Sequence, residues 1–244
     1  MSAANHRECT ITRPYLSTTR TNTIAVIRQD DFIDSVADAL QFISYYHPLD
    51  FVKAVHEAYE REQNPAARDA MAQILINSRM CAQGHRPICQ DTGIVTVFLK
   101  IGMDVTWAAE LSVAEMVNEG VRRAYTHPDN VLRASILEDP AGARKNTRDN
   151  TPAVIHMEVV KGDTVDVQVA AKGGGSENKS KLAMLNPSDS IVDWVVKTVP
   201  TMGAGWCPPG MLGIGIGGTA EKAAVLAKES LMDPIDIHEL RERG

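Results

Sequence analysis

Residues 87–100 read PICQDTGIVTVFLK, a cysteine-containing loop that runs directly into a β-branched segment. β-Branched and aromatic residues favour strands, so residues 93–100 are predicted to form one. Cys89 then lies on the loop that leads into this strand, beside an amide, a carboxylate and a glycine. A cysteine is usually a small buried apolar side chain, whereas a cysteine on such a loop is well placed to ligate or to react.

Helices are predicted on both sides of this strand. Apolar residues recur at helical spacing in residues 33–43, 51–59 and 67–75, which indicates an N-terminal helical layer with a structural role. Ser112 and Glu115 form a capping-box pattern at the start of a further helix.

Two later strands are predicted at residues 153–160 and 164–171, joined by Lys161-Gly162-Asp163. This short connection predicts an antiparallel hairpin. The remaining predicted elements are helices at residues 188–199 and 219–231 and a strand at residues 211–216. Together the elements predict an α+β fold in which the N-terminal helical layer packs on a mixed sheet.

Composition limits the class of protein. The chain has 244 residues, of which 44% are apolar and 23% charged, as in ordinary globular proteins of one large or two small domains. The net charge of −6, without a basic cluster, argues against a nucleic-acid partner. No apolar run approaches the roughly 20 residues of a membrane span, and no signal-peptide core follows the start, so a cytoplasmic location is expected. Four cysteines are too few for a disulfide scaffold and are expected to be free, metal-bound or catalytic.

Two other peptides accompany the Cys89 loop. Residues 172–179 read KGGGSENK, and Cys207 lies in GWCPPG, residues 205–210. Together with PICQDTG, and in the same order along the chain, these peptides resemble peptides in the catalytic domain of the class I (iron–sulfur) fumarate hydratases and the related tartrate dehydratases. The resemblance covers residues 27–237 and is specific because three separate peptides recur.

The resemblance implies a [4Fe–4S] cluster held by three thiolates, with an open iron that acts as a Lewis acid on the substrate. Cys89 and Cys207 match two of the three ligands, and the third belongs to a later peptide that this sequence does not contain. Cys81 is a weak alternative, because its spacing from Cys89 is not a recognised cluster motif. The family's C-terminal domain or β subunit, which supplies a catalytic Lys or Thr, is also absent. The chain is therefore expected to be truncated or partner-dependent, and inactive alone.

The resemblance also implies substrate contacts. Gln90 and Asp91 match active-site residues, and Asp91 is the expected catalytic residue of this chain. Arg133 matches an arginine that clamps a substrate carboxylate, a task that suits a planar guanidinium. The N–H groups of Gly173 and Gly174 are expected to face a dianionic substrate. A simpler role for Asp91, which can coexist with the first, is to cap the turn that follows it.

The function implied is the reversible hydration of fumarate to (S)-malate, a reaction of the tricarboxylic acid cycle, by a cytoplasmic enzyme that is a homodimer when complete. The alternatives are a tartrate dehydratase alpha subunit and an inactive fragment that binds a C-terminal, β-type partner. Residues 172–179 and 213–218 also look like nucleotide-binding motifs, but each lacks a required feature, and a zinc- or nucleotide-binding protein is the remaining alternative.

Residues 1–22 carry three arginines and one acid and are predicted to be a disordered or mis-started tail. Residues 23–244 are predicted to form an incomplete hydro-lyase domain of the alpha type.

Overall fold

The computed structural model of the chain describes residues 26–207 and 209–243, so the prediction for residues 1–22 lies outside the described part. The α-helices are α1 (Gln29–Tyr45), α2 (Leu49–Arg61), α3 (Pro65–Gly84), α4 (Val113–Tyr125), α5 (Gly174–Glu177), α6 (Ile191–Thr198), α7 (Ala220–Glu229) and α8 (Ile237–Arg243). The strands are β1 (Val26–Arg28), β2 (Ile94–Gly102), β3 (Thr106–Ala108), β4 (Leu137–Glu138), β5 (Lys145–Asn146), β6 (Val154–Val160) and β7 (Val165–Lys172). Among these helices, none combines the length and the hydropathy that crossing a bilayer requires.

The predicted helical layer is confirmed, and its helix starts follow from local chemistry. The Asn64 side chain accepts hydrogen bonds from the first N–H groups of α3, with Pro65 at the first helical position. Ser112 and Glu115 form the predicted capping box at the start of α4, because each side chain bonds the other's backbone N–H.

The largest sheet has three strands in the order β6-β2-β7 and is mixed, as predicted. Strand β2 runs parallel to β6 and antiparallel to β7, with Val97 opposite both Ile155 and Val169. The predicted hairpin is therefore wrong: β6 and β7 are consecutive and opposite in direction, but β2 lies between them. The short connection spans β2 because Gly102 passes under it, donating its N–H to the Thr164 carbonyl at 2.8 Å.

The core lies between one face of this sheet and the helices α1 and α4. Val95, Val97 and Leu99 of β2 are fully buried in one cluster with apolar side chains of both helices. The two helices cross closely at Gly120, where a Cβ would collide with the Val36 side chain. Helix α1 of the N-terminal layer thus packs on the sheet as the α+β prediction requires, and this packing places the start of β2 at the edge of the core.

The segment of residues 211–216 forms no strand, contrary to the prediction. Its alternation of glycine and apolar residues has a different cause. Gly213 and Gly215 lie against the α7 backbone, where a Cβ would collide with the carbonyl groups of Ala227 and Ala223. Close packing is therefore the role of these glycines, and the strand-to-helix turn that a dinucleotide motif requires is absent from this described segment.

Candidate functional site

The loop before β2 presents Cys89 to solvent and fixes it with backbone groups. The Cys89 Sγ atom is exposed, lies 3.5 Å from Gln90 Oε1 and accepts a hydrogen bond from the Asp91 N–H at 3.4 Å. Asp91 Oδ1 accepts the Gly93 N–H at 3.2 Å, so Asp91 caps this turn, its simpler predicted role. Gly93 has a φ of +84°, which a glycine adopts without strain.

Asp91 joins this loop to the glycine-rich peptide. Its Oδ2 atom accepts the Gly174 N–H at 2.9 Å, and a Cβ on Gly173 would lie 3.0 Å from the same oxygen. Three of the predicted substrate-binding residues are therefore neighbours. In this structure the Gly174 amide bonds to the Asp91 carboxylate, so its contact with a substrate remains a prediction.

The second cysteine loop meets the same glycine-rich peptide. Cys207 is exposed, has a φ of +59° and donates its N–H to the Ala204 carbonyl at 3.1 Å. A Cβ on Gly175 would lie 2.7 Å from the Gly205 carbonyl oxygen, so the two backbones pass in close contact. Both cysteine loops thus pack on residues 173–175, one through Asp91 and the other through Gly205.

Arg133 reaches the site on a third segment. Its carbonyl oxygen accepts a hydrogen bond from Thr92 Oγ1 at 2.6 Å, which ties this segment to the Cys89 loop. The Arg133 side chain is exposed, and its guanidinium has no hydrogen bond or ion pair to another residue of the described chain. Its contact with a substrate carboxylate stays a prediction.

Two buried residues that the sequence analysis did not single out support these loops. The Tyr125 hydroxyl donates to the Thr92 carbonyl at 2.7 Å, and burial raises the pKa of Tyr125 to about 12. The Asn150 amide donates to the Gly93 carbonyl at 3.0 Å and accepts the Ser135 N–H at 2.8 Å. No sequence motif marks either residue. Tyr125 ends an amphipathic helix, and Asn150 lies in a polar, turn-rich stretch.

An ion-pair cluster connects the glycine-rich peptide to helix α7. Glu177 Oε1 lies 2.8 Å from Lys228 Nζ, and Glu177 Oε2 lies 3.1 Å from Lys172 Nζ. Burial by itself would raise the pKa of Glu177, but the hydrogen bonds from the two lysines outweigh it, and the pKa lies below its ordinary value. Glu177 therefore stays charged and holds α7 against the end of β7.

Among the described residues, the exposed thiols are those of Cys89 and Cys207. No group of three His, Cys, Asp or Glu side chains is arranged to hold a metal ion within residues 26–207 and 209–243. Cys81 is buried, with its Sγ atom 3.6 Å from both Asn77 Oδ1 and the Pro87 carbonyl, so its surroundings are structural. Cys89 and Cys207 are each accessible on a loop, and both loops contact one peptide, an arrangement compatible with ligands of one cluster. Their role as cluster ligands stays a prediction.

Comparisons with known proteins agree on one family. The family model described as Fumarate hydratase (Fumerase) matches residues 33–243. A provisionally named L(+)-tartrate dehydratase subunit alpha of Methanocaldococcus jannaschii is 34% identical over 210 residues, which are 83% of this chain and 72% of that protein. The L(+)-tartrate dehydratase subunit alpha of Escherichia coli strain K12 is 27% identical over 203 residues, 82% of this chain and 66% of that protein.

Proposed function

Because this chain belongs to the fumarate hydratase (Fumerase) family and has the iron–sulfur hydro-lyase domain of the alpha type, we propose that it forms part of an enzyme that reversibly hydrates fumarate to (S)-malate. The observation that carries the proposal is the meeting of both cysteine loops on residues 173–175, beside the tethered Arg133 segment. This arrangement supports the proposal because two exposed thiols and an exposed guanidinium lie on segments that contact one another.

The proposed cofactor is a [4Fe–4S] cluster, for which Cys89 and Cys207 would be two of the ligands. When bound, such a cluster supplies an open iron that acts as a Lewis acid toward a substrate hydroxyl. The Asp91 N–H, 3.4 Å from Cys89 Sγ, would stabilise a thiolate at that position. The third thiolate is proposed to come from the family peptide that this sequence does not contain.

The chain's own side chains would bind and orient the dicarboxylate. Arg133 has an exposed guanidinium that can form two parallel hydrogen bonds to one carboxylate. The Gln90 amide and the Asp91 carboxylate lie on the Cys89 loop, where they would contact the hydroxyl-bearing carbon. Asp91 accepts hydrogen bonds from the N–H groups of Gly93 and Gly174, so the direction of its oxygen atoms is fixed. The base for the C3 proton is proposed to come from the partner domain.

The proposed partner is a C-terminal, β-type domain or subunit. The matched relatives are named as alpha subunits, and the chain spans 66% of the E. coli protein. A homodimer of the complete assembly is part of the same proposal. A reducing cytoplasm is proposed as well, since Cys81, Cys89 and Cys207 are free thiols.

Single cysteine variants test the cluster assignment. The chain is prepared anaerobically with a β-type partner and reconstituted with iron and sulfide, and iron content and visible absorption are measured. Cys89→Ser and Cys207→Ser should each lose most of the bound iron, whereas the control Cys81→Ser should retain it. Iron content that is unchanged in Cys89→Ser or Cys207→Ser would show that the ligands lie elsewhere.

A second candidate, tartrate dehydratase, is favoured by the names of the matched relatives. The two activities differ in one hydroxyl group on the same four-carbon diacid. The ratio of kcat/KM for malate and for L(+)-tartrate, measured on the iron-loaded assembly, decides between them. An assembly that binds its partner and iron but turns over neither substrate would indicate a non-catalytic subunit.

A further inference from the structure

One buried side chain joins two segments of the proposed site. Asn150 is 0% exposed, yet both polar atoms of its side chain are satisfied. Its Nδ2 atom donates to the Gly93 carbonyl at 3.0 Å, and its Oδ1 atom accepts the Ser135 N–H at 2.8 Å. Replacing this buried amide should be costly, because the Ser135 N–H would lose its acceptor and the Gly93 carbonyl would lose the closer of its two side-chain donors, the other being the Tyr125 hydroxyl at 3.5 Å.

The backbone at this position also suits asparagine. Asn150 has a φ of +62°, in the left-handed region where asparagine is among the few non-glycine residues that occur often. This conformation directs the amide at the two backbone groups. Ionised aspartate has nearly the same shape but cannot donate to the Gly93 carbonyl.

The two ends of the Asn150 bridge belong to different parts of the site. Gly93 closes the turn that carries Cys89, and Ser135 lies two residues beyond Arg133. A second tie joins the same segments, since Thr92 Oγ1 donates to the Arg133 carbonyl at 2.6 Å. The Arg133 segment has no helix or strand from residue 131 to residue 136, and Leu132 anchors it in the core. Asn146 and Thr147 donate to its Ala134 and Ile136 carbonyl groups, whereas the Asn150 and Thr92 side chains supply the bonds that join it to the Cys89 loop.

We propose that Asn150 is a positioning residue that fixes the distance between the Cys89 loop and the Arg133 segment. It touches neither substrate nor cofactor. Its effect is to keep the carboxylate-binding guanidinium and the cysteine ligand in one arrangement, and misplacement by about 1 Å can cost up to about a hundredfold in rate. This inference has a mechanical part, the bridge between the two segments, and a functional part, the effect of that bridge on catalysis. The functional part rests on the proposed function, whereas the mechanical part does not.

The mechanical part is tested by hydrogen exchange on the full chain without cluster. In Asn150→Ala, the amide of Ser135 should exchange at least about tenfold faster, because its acceptor is removed. The control is Asn118→Ala, since Asn118 Oδ1 accepts the Ala153 N–H at 2.9 Å, a similar amide-to-backbone bond that does not join the two loops. Equal exchange at Ser135 in the wild type and Asn150→Ala, or equal acceleration in the control, would overturn the proposal.

The functional part is tested on the assembly with its partner, per molecule of folded, iron-loaded protein. Asn150→Asp and Thr92→Val should bind iron as the wild type does but lose kcat/KM, by about tenfold or more in Asn150→Asp. A purely structural role would leave this normalised activity unchanged, which would overturn the inference. If Asn150→Asp does not fold, Thr92→Val, which removes only the second tie, decides by the same criterion. A wild-type assembly without activity would instead contradict the proposed function, and the exchange result would stand independently.

Discussion

The hydroxyl group of Tyr125 supports the Cys89 loop from the core side. The side chain is almost completely buried at the end of α4, and its hydroxyl donates to the carbonyl of Thr92, next to the Asp91 turn. Only the neutral phenol can donate this bond. Because burial raises the pKa of Tyr125 to about 12, the phenol remains a donor well above neutral pH.

Replacing Tyr125 by Phe should change both the stability and its alkaline pH dependence. Loss of the hydrogen bond should lower the free energy of unfolding by about 1 kcal/mol at neutral pH. The pKa of Tyr125 is about 12 in the folded chain and 10.0 for the unperturbed group. The stabilisation that Tyr125 gives the wild type is therefore complete below pH 10 and falls as the pH rises to about 12. The total fall is roughly 3 kcal/mol. Urea unfolding across this range should therefore show a steeper loss for wild type than for Tyr125→Phe.

Tyr59→Phe is the control for this experiment, since its ring packs beneath the Arg68 guanidinium, 4.6 Å from the ring centre. It should follow the wild-type curve. Parallel alkaline curves for wild type and Tyr125→Phe would contradict the assignment of Tyr125 as a buried neutral donor.

Peptide motifs singled out Cys89, Asp91 and Cys207 as candidate site residues, because ligation and substrate binding require particular residue types next to one another in the chain. The motifs did not point to the buried residues that support these loops. Tyr125 and Asn150 act through backbone carbonyl groups far away in sequence. Such contacts depend on how α4 and the turn-rich stretch pack, which residue order alone does not specify.

At the scale of elements, periodicity predicted the type of most segments but not which strands pair. The helices α1 to α4 follow from apolar spacing and capping chemistry. The misassigned hairpin has a physical reason, since the rule for short connections assumes adjacent strands. Gly102 lets β2 pass beneath the connection between β6 and β7, and a local pattern does not reveal this insertion.

Helix α7 offers a test of how ion pairs join elements. Glu177→Gln should loosen α7 from the glycine-rich peptide, because Glu177 contacts both Lys172 and Lys228. The folded pKa of Glu177 is lowered, so its stabilisation is present above about pH 4.5 and is lost as the pH falls through the folded value. Glu177→Gln should therefore reduce stability at neutral pH and flatten the acid side of the stability curve, as followed by chemical unfolding.

The matched control is Glu229→Gln, a substitution on helix α7 itself, which removes one ion pair to Lys100 at 3.6 Å. A partly exposed pair of this kind contributes at most about 1 kcal/mol. If the two variants lost equal stability and had the same acid dependence, the bridging role of Glu177 would be refuted.

At the scale of the whole molecule, burial is uneven along the chain. The last buried residue is Asn150, and none of the described residues after it is buried. Large apolar side chains are instead exposed in this part, among them Met157 (54%), Val159 (69%), Met184 (85%) and Val192 (71%). Extensive exposed apolar surface is typical of interfaces, and the chain spans 72% and 66% of the two matched relatives.

The uneven burial predicts how the chain should respond to a β-type partner. Alone, the chain should bind a fluorescent apolar dye, and adding the partner should lower the dye signal and slow hydrogen exchange after residue 150. Exchange in the core strand β2 should change little, because that strand is already buried. Unchanged dye binding and exchange in a mixture that co-purifies would show that the partner contacts another surface.

The insertion of β2 between β6 and β7 has a consequence for biosynthesis. Both neighbours of β2 follow it in the chain, after the whole of α4, so β2 leaves the ribosome with neither edge paired. Such non-local pairing raises contact order and slows folding. The nascent chain must therefore keep an apolar strand from aggregating until β7 has been translated. The loop that carries Cys89 also takes its final position only after that moment, because the glycine-rich peptide that anchors it through Asp91 is made immediately after β7.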